Sequence, residues 1–309
     1  MGNYILRRIG EMLVVLLLMS IVVFVLSRLT GDPVSLLLSD YASDEDRARV
    51  TAELGLDKPI VNQYLSFLGN AITGDFGNSL MGDQRPALEL VMERLPASIK
   101  LALIAFIFSL VLGIPLGVIA ASQHGTIWDT LARLLALIGQ SVPAFWLGLV
   151  LMYFFSVELG WLPTSGYGDW RYFVLPVLTL GLFTASAVTR LIRNTMLDVL
   201  ASDYIKLARL KGLPETTVVW KHALRNSLIP MLTFMGTFLA TMITGAVVVE
   251  TVFSWPGIGR LAFEAILNRD FPLIQAVVLM MTTLFIVINL LVDVSYAIVD
   301  PRIRLSANT

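Results

Sequence analysis

The sequence has 309 residues, of which 56% are hydrophobic and 15% are charged, and its formal net charge is −1. Its mean hydropathy is +0.78. Because a soluble domain carries about 25% charged residues, this composition indicates an integral membrane protein. The small net charge gives no overall field that would attract nucleic acid, and the absence of cysteine excludes disulfides, thiolate metal sites and cysteine nucleophiles.

Six apolar runs are long enough to cross a bilayer, because a membrane-spanning helix needs about 20 mostly apolar residues. We therefore predict an all-α integral membrane protein with six transmembrane helices and with both termini on one side. The first run follows two arginines and is longer than the apolar core of a signal peptide, so we expect a retained anchor. The runs are 9–29, 99–121, 132–157, 173–192, 228–249 and 273–298.

Basic residues in the short connections predict the orientation, because cytoplasmic connections carry the excess of lysine and arginine. One side has only Arg171, Arg260 and Arg269 in its short connections. We predict that this side is extracytoplasmic and that both termini are cytoplasmic. The opposite side carries Arg7, Arg8, Arg133, Arg190, Arg193, Lys206, Arg209, Lys211, Lys221, Arg225, Arg302 and Arg304.

The longest polar stretch follows the first apolar run. It is acidic and contains turn signals such as Gly31-Asp32-Pro33 and Gly74-Asp75. We predict three parts: a cytoplasmic N-terminus with the first transmembrane helix (1–29), an extracytoplasmic subdomain (30–97), and a five-helix core (98–309). The core would include a cytoplasmic loop over 193–227.

Patterns for catalysis, metal binding and nucleotide binding are missing from the sequence. His124 and His222 lie in connections without neighbouring ligands, and no G-x-x-x-x-G-K-[ST] loop is present. Ser141 has no histidine or lysine in a span to activate it, so we interpret its hydroxyl as a partner of the backbone beside Pro143. We expect no catalytic residue, no metal site and no cofactor on this chain, which favours transport powered from elsewhere.

Three residues are predicted to serve helix packing. Gly113 and Gly117 form a G-x-x-x-G, whose spacing lets two helix backbones approach closely. Asp293 lies in the last apolar run, and ionisable groups in lipid usually mark function. It is close to the predicted cytoplasmic face, however, so we favour an interhelical hydrogen bond or a cap over a substrate contact.

The stretch "DYIKLARLKGLPETTVVWKHALRN", residues 203–226, is unusually charged for a connection between two spans. Tyr204, Leu207, Ala208 and Lys211 share one face of a helix, and Gly212 can take the left-handed position after its end. With Pro214 opening a second helix, we predict a bent two-helix element with an apolar ridge edged by cations. A basic loop held at anionic lipid headgroups is the alternative.

This stretch resembles the cytoplasmic loop of permeases in binding-protein-dependent ABC importers for dipeptides, oligopeptides, glutathione and nickel. The resemblance extends over nearly the whole chain in the order of that family. It includes "GDP" at 31–33, "LGLDKP" at 54–59, "QY" at 63–64, "GDFGNS" at 74–79, "RLPAS" at 94–98, "LGWLPTSGYG" at 159–168, "VVVETVFSWPGIGR" at 247–260, "RDFPLIQ" at 269–275 and "NLLVDVSYAIVDPRIR" at 289–304.

The general importer motif in this loop is E-A-A-x-x-x-G-x9-I-x-L-P. Aligned on Gly212, this chain has Lys206-Leu207-Ala208 in place of E-A-A and His222-Ala223-Leu224-Arg225 in place of I-x-L-P. Only the alanine, the glycine and the leucine are retained. The roles of the replaced residues are therefore not carried over to Lys206 and Arg225.

The resemblance implies a type I ABC importer permease fold in the bacterial inner membrane, with a long extracytoplasmic loop after the first helix. It implies a second homologous permease, two ATP-binding subunits that carry ATP and magnesium, and an extracytoplasmic substrate-binding protein. Trp255, Pro256 and Gly257 would face that protein. The residues expected to couple to the ATPase are Asp203, Tyr204, Ala208, Arg209, Lys211, Gly212, Leu213, Pro214, His222, Leu224, Arg225 and Asn226.

On this interpretation the chain is not an enzyme itself and translocates small peptides, either di- and oligopeptides or glutathione-like ones, by ATP-driven alternating access. Import of nickel or a metal chelate by the same architecture is the alternative. A secondary transporter would predict more spans and paired midplane charges, which this sequence lacks. A membrane-embedded hydrolase would need an activated nucleophile.

Overall fold

The computed structural model describes residues 2–29, 43–53, 55–81 and 84–299. Throughout these ranges the secondary structure is helical, apart from one isolated β-bridge between Asn78 and Pro86. The all-α prediction is confirmed. The helices are α1 (Gly2–Leu29), α2 (Asp44–Glu53), α3 (Ile60–Thr73), α4 (Ala87–Ser122), α5 (Ile127–Ser141), α6 (Ala144–Met152), α7 (Arg171–Leu200), α8 (Asp203–Leu210), α9 (Glu215–Thr217), α10 (Leu224–Val252), α11 (Ile258–Leu267) and α12 (Phe271–Val299).

In the described part of the chain, five helices are long and apolar enough to span a membrane. They confirm five of the six predicted runs. Such runs form helices because a backbone in lipid can satisfy its hydrogen bonds within a helix. Pro176 and Pro230 lie inside two of the long helices without ending them. The five helical segments are Arg8–Leu29, Ala87–Ser122, Arg171–Leu200, Phe234–Val252 and Phe271–Val292.

The run predicted over 132–157 is divided into two helical segments rather than formed as one continuous helix. Helix α5 ends at Ser141, and α6 with the π-helix that continues it to Glu158 turns away by 102°. Val142 is extended, with φ −85° and ψ 124°, as the residue before a proline prefers. Pro143 also lacks the N–H that would continue the helix. Within the described residues there are six candidate spans if this bent pair counts as one.

By its contacts the chain divides into two compact units. The first unit comprises residues 1–96 and 257–286. Asp270 organises part of it, because its carboxylate accepts hydrogen bonds from the Ser79 hydroxyl, the Leu80 N–H and the Leu273 N–H. These bonds join the "GDFGNS" stretch to the start of α12. The apolar side chains around them come from α4, α11 and α12 and include Val91, Ile258 and Leu273.

The second unit comprises residues 97–256 and 287–309. One of its apolar clusters surrounds Trp255 and Phe253, and the other surrounds Ile192 and Met196 in α7. The second cluster contains the inner face of the 203–226 segment, so it fixes that segment to the long helices.

Gly113 and Gly117 lie where α4 crosses α7. A Cβ on Gly113 would stand 2.7 Å from the carbonyl oxygen of Ala185 and 2.8 Å from Cβ of Val188. A Cβ on Gly117 would stand 2.8 Å from Cβ of Ile192. At both positions the crossing therefore leaves room for the hydrogen atom of a glycine but not for a Cβ. Asp293 belongs to α12, but its side chain lies outside the described residues.

Candidate functional site

The 203–226 segment consists of two helical stretches separated by a break. The first is α8, and the second begins as α9 and continues as a π-helix, Val218–Ala223, directly into α10. The break covers residues 211–214, where the sequence predicts it. The segment therefore connects α7 to α10 as a bent helical element.

Gly212 adopts the left-handed conformation with φ +75°, as its predicted position after the helix end requires. Its N–H donates to the Arg209 carbonyl at 2.9 Å, and the Leu213 N–H donates to the Ala208 carbonyl at 3.4 Å. These two bonds make a Schellman motif, which closes α8 by using carbonyls that the helix end leaves free. Pro214 then stands just before α9, with φ −62° and ψ 140°.

A bidentate ion pair bridges the break. Arg209 Nε lies 3.0 Å from one Glu215 oxygen, and Nη2 lies 2.6 Å from the other. The pairing lowers the pKa of the Glu215 carboxyl and raises the pKa of the Arg209 guanidinium. Both side chains remain charged at neutral pH and hold the two helical stretches at a defined angle. Glu215 was not among the predicted site residues.

A second link joins the first and last turns of the segment. Asn226 Nδ2 donates to the Tyr204 hydroxyl at 2.7 Å and to the His222 carbonyl at 3.2 Å. Asp203 pairs with Lys206 at 2.9 Å on the exposed side. The predicted residues Tyr204, His222 and Asn226 are thus brought together.

The inner face of the segment is apolar and buried. Ile205 of α8 and Val218, Val219 and Ala223 of the second stretch pack with Met196 and other buried residues of the second unit. Ala208 and Leu224 are half-buried in the same cluster. Because each fully buried aliphatic side chain contributes about 1.5–3 kcal/mol, this face holds the segment as a rigid body on the long helices.

The outer face of the segment is also apolar, although it is exposed. Leu207, Leu210 and Leu213 follow one another at i, i+3 spacing, and Leu210 is 84% exposed. Lys211 and Arg225 of the same segment are also exposed. An exposed apolar patch of this kind on a charged connection is typical of protein or membrane contact sites. The patch is defined as Tyr204, Leu207, Leu210, Leu213 and Trp220.

The predicted ridge agrees with this patch in Tyr204 and Leu207 but not in Ala208, which turns toward the core. Leu210 and Trp220 were missed, although the leucine spacing at 207, 210 and 213 could have revealed Leu210. The exposed apolar face of α8 is therefore rotated away from the predicted ridge, because Ile205 is the residue of α8 that is buried in the core.

Trp255, predicted to face a binding protein, is 0% exposed. Its indole Nε1 donates to the Ala97 carbonyl at 3.1 Å. Tyr167 and Phe173 contact the ring edge to face, at centroid distances of 4.8 and 4.6 Å. This side chain therefore supports the packing of its turn from within. Pro256 is half-buried and Gly257 is buried.

Glu250 is a buried acid that sequence reasoning did not single out. The Ser98 hydroxyl donates to its carboxylate at 2.6 Å, and both residues are buried. This bond joins the "RLPAS" stretch to the "VVVETVF" stretch. Its sequence signal was a single acid at the end of an apolar run, which could have been noted.

Asp129 is a second buried acid, and it organises a polar network that the sequence did not predict. It is 0% exposed and accepts two hydrogen bonds from Arg193, from Nε at 2.7 Å and from Nη2 at 3.0 Å. Arg133 Nε lies 3.2 Å from Oδ1, and the Gly125 N–H donates to Oδ2 at 3.1 Å. His124 Nδ1 is 3.1 Å from the same oxygen. The network ties α5 to α7.

Two family models match the chain. The model described as "Binding-protein-dependent transport system inner membrane component" matches residues 113–305. The model described as "Binding-prot-dependent transport system membrane comp, N-term" matches residues 1–102. Together they cover the 203–226 segment, the buried networks and the first helix.

The chain is similar in sequence to curated permeases over almost its full length. It is 41% identical to the glutathione transport system permease protein GsiC of Escherichia coli (strain K12), over 98% of this chain and 99% of the relative. Its identity to GsiC of Salmonella typhimurium (strain LT2) is 42% over the same shares.

Solved structures with a similar fold are also transporters. An inward-facing structure of the MetNI methionine ABC transporter matches with a TM-score of 0.61 at 18% identity, covering 71% of this chain and all of that chain. A structure titled an amino acid ABC transporter with histidines matches with a TM-score of 0.51 at 16% identity, covering 69% and 94%. At these identities the likeness concerns the fold.

Proposed function

This chain belongs to the family of inner membrane components of binding-protein-dependent transport systems, and from that premise we propose that it imports small peptides. It is a multi-pass inner-membrane protein and the permease subunit of an ABC importer. We propose that translocation proceeds by alternating access driven by ATP. Members of the family work with an ATPase and a substrate-binding protein.

We propose glutathione-like tripeptides, or di- and oligopeptides of similar size, as the substrates. The support is the 41% identity to a relative named for glutathione transport, over 98% of this chain. Nickel import, the alternative considered from the sequence, is not favoured by these relatives.

The outer face of the 203–226 segment is the basis of our proposal for how ATP hydrolysis is coupled to this chain. It exposes Leu210 and its apolar neighbours, while the inner face is fixed in the core. We propose that an ATP-binding subunit docks on this patch and moves the segment as a rigid body. Two such subunits, which carry ATP and magnesium, and a second homologous permease would complete the transporter. This chain itself would bind no cofactor.

The proposed docking requires the 203–226 segment and both termini to be cytoplasmic. Residues 30–97 and the turn at Pro256 and Gly257 would then face the substrate-binding protein outside. The excess of basic residues in the connections on the segment's side supports this orientation.

Replacing one exposed leucine tests the docking proposal. Leu210→Asp introduces a charge at the most exposed residue of the patch. It should reduce co-purification of the ATP-binding subunit at least about thirtyfold, the effect of losing a contact of about 2 kcal/mol. Peptide uptake into proteoliposomes should fall with it. Leu267→Asp, at an exposed leucine of α11, is the matched control and should leave ATPase association unchanged. Undiminished association of Leu210→Asp would refute the proposed docking surface.

A further inference from the structure

A cavity of about 360 Å³ lies between α5 and α7, beside the Asp129 network. Three arginines and two amides contribute to its lining, and Ala136 and Leu137 form part of its apolar wall. This combination of guanidinium groups, amides and aliphatic carbon has no role in the proposed docking of the ATPase. The polar residues are Arg133, Gln140, Arg190, Arg193 and Asn194.

The cavity carries an excess of positive charge. Arg193 is paired with Asp129 through two hydrogen bonds, and Arg133 approaches the same carboxylate at 3.2 Å. One carboxylate against three guanidinium groups leaves about two positive charges. In the described part of the chain, Arg190, Gln140 and Asn194 have no side-chain hydrogen bond or ion pair.

Arg193 and Arg133 are held in place before any ligand arrives. Asp129 is fully buried and is also held by the Gly125 N–H and His124, so it fixes Arg193 against α5. Arg133 additionally donates to the Thr130 hydroxyl at 3.3 Å. A preorganised group loses little conformational freedom on binding, which favours an oxyanion that accepts several charge-assisted hydrogen bonds.

The position of the cavity favours a lipid over a soluble anion. Arg193 lies seven residues before the end of α7 at Leu200, which is about 10 Å along the helix. This is the end that leads into the 203–226 segment, near the zone of the lipid headgroups. Leu134, Leu137 and Ile138 are exposed on the same helix α5. They provide an apolar surface along which acyl chains can lie.

We propose that this cavity binds the phosphate of an anionic phospholipid, with Arg190 and Arg133 as its main cationic contacts and Asn194 and Gln140 as hydrogen-bond donors. Basic pockets between transmembrane helices are suited to such headgroups. The bound lipid stabilises the α5–α7 pair that precedes the 203–226 segment. A soluble phosphate would use the same donors but not the exposed leucines.

Lipid binding to the full-length chain, purified in delipidated detergent with its co-expressed subunits, tests the proposal. Native mass spectrometry and thermal stabilisation are followed on addition of phosphatidylglycerol, phosphatidylcholine or inorganic phosphate. Arg190→Gln should weaken phosphatidylglycerol binding about tenfold, the usual effect of losing one charge-assisted hydrogen bond. The control variant Arg171→Gln changes an exposed arginine that begins the same helix. It should bind phosphatidylglycerol as tightly as the unaltered chain does.

A second variant separates the cavity from general electrostatic attraction. Ala136→Leu fills part of the cavity and keeps all three arginines, so it should also weaken phosphatidylglycerol binding several-fold. Unchanged binding in both Arg190→Gln and Ala136→Leu would overturn the proposal. Equal binding of phosphatidylcholine would overturn it as well, and stabilisation by inorganic phosphate equal to that by phosphatidylglycerol would assign the site to a soluble anion instead.

Discussion

At the scale of one residue, Gly212 determines where the 203–226 segment bends. Its φ of +75° costs a residue with a Cβ about 1–2 kcal/mol, whereas glycine adopts it freely. No atom lies within 4 Å of the position that a Cβ would occupy. The requirement for glycine here is therefore a requirement of the backbone and not of space.

We expect Gly212→Ala to extend α8 past its present end and to misdirect the second helical stretch. Association of the ATP-binding subunit should fall about tenfold, while the free energy of unfolding should fall by about 1 kcal/mol. Gly160→Ala is the matched control, because Gly160 also has a positive φ, +61°, and open space around it. It should show the same loss of stability without the loss of association, as measured by co-purification and thermal unfolding. Equal association in the two variants would contradict this role of the bend.

At the scale of one element, the 203–226 segment has a buried face and an exposed face that serve different roles. Its buried face, with Ile205 and Val218, fixes the segment to the core, and its exposed leucines are available to a partner. The ion pair between Arg209 and Glu215 lies at the surface, where such pairs contribute about 0–1 kcal/mol. The pair therefore adds little to the free energy of unfolding, and its role is to restrain the local geometry of the bend.

Reversing the charge of Arg209 tests the ion pair. Arg209→Glu places two acids across the break, so the amides of residues 211–213 and 215–218 should exchange hydrogen several-fold faster. Arg209→Glu combined with Glu215→Arg should restore slow exchange. Because the pKa of Glu215 is lowered in the folded state, the pair stabilises the bend above the ordinary pKa of a glutamate. That stabilisation is lost as the pH falls through the lowered value, and protection measured at acidic pH should fall accordingly. Slow exchange in the single variant would contradict this account.

At the scale of the whole molecule, the long helices are held by close backbone contacts and by a few buried polar bonds. Gly113 and Gly117 let α4 approach α7, and the Thr189 hydroxyl donates to the Gly113 carbonyl at 3.3 Å. Within a membrane such packing replaces the hydrophobic effect as the force between helices. The position of α7, and with it the start of the 203–226 segment, depends on this crossing.

Alanine at two glycines should have opposite effects on stability. Gly117→Ala places a Cβ about 2.8 Å from Cβ of Ile192 and should lower the free energy of unfolding by about 1–3 kcal/mol. Gly10→Ala, in the open part of α1, meets no atom within 4 Å and should raise stability by up to about 1 kcal/mol. Thermal inactivation in detergent measures both. A neutral Gly117→Ala would show that the crossing can relax.

Much of this protein follows from the sequence alone. Apolar runs of sufficient length become helices because lipid leaves the backbone no other partner for its hydrogen bonds. The break at Gly212 is equally local, since the left-handed glycine and the following proline stop a helix in any context. The resemblance over the whole chain identified the family that the comparisons confirm.

The tertiary structure decided what depends on partners distant in the chain. The burial of Trp255 and the inward turn of Ala208 each follow from neighbours that no local pattern specifies. Asp129 meets Arg193 across 64 residues, and Ser98 meets Glu250 across 152. A periodic pattern shows that a face is apolar, but which side chains cover that face is determined only when the helices pack.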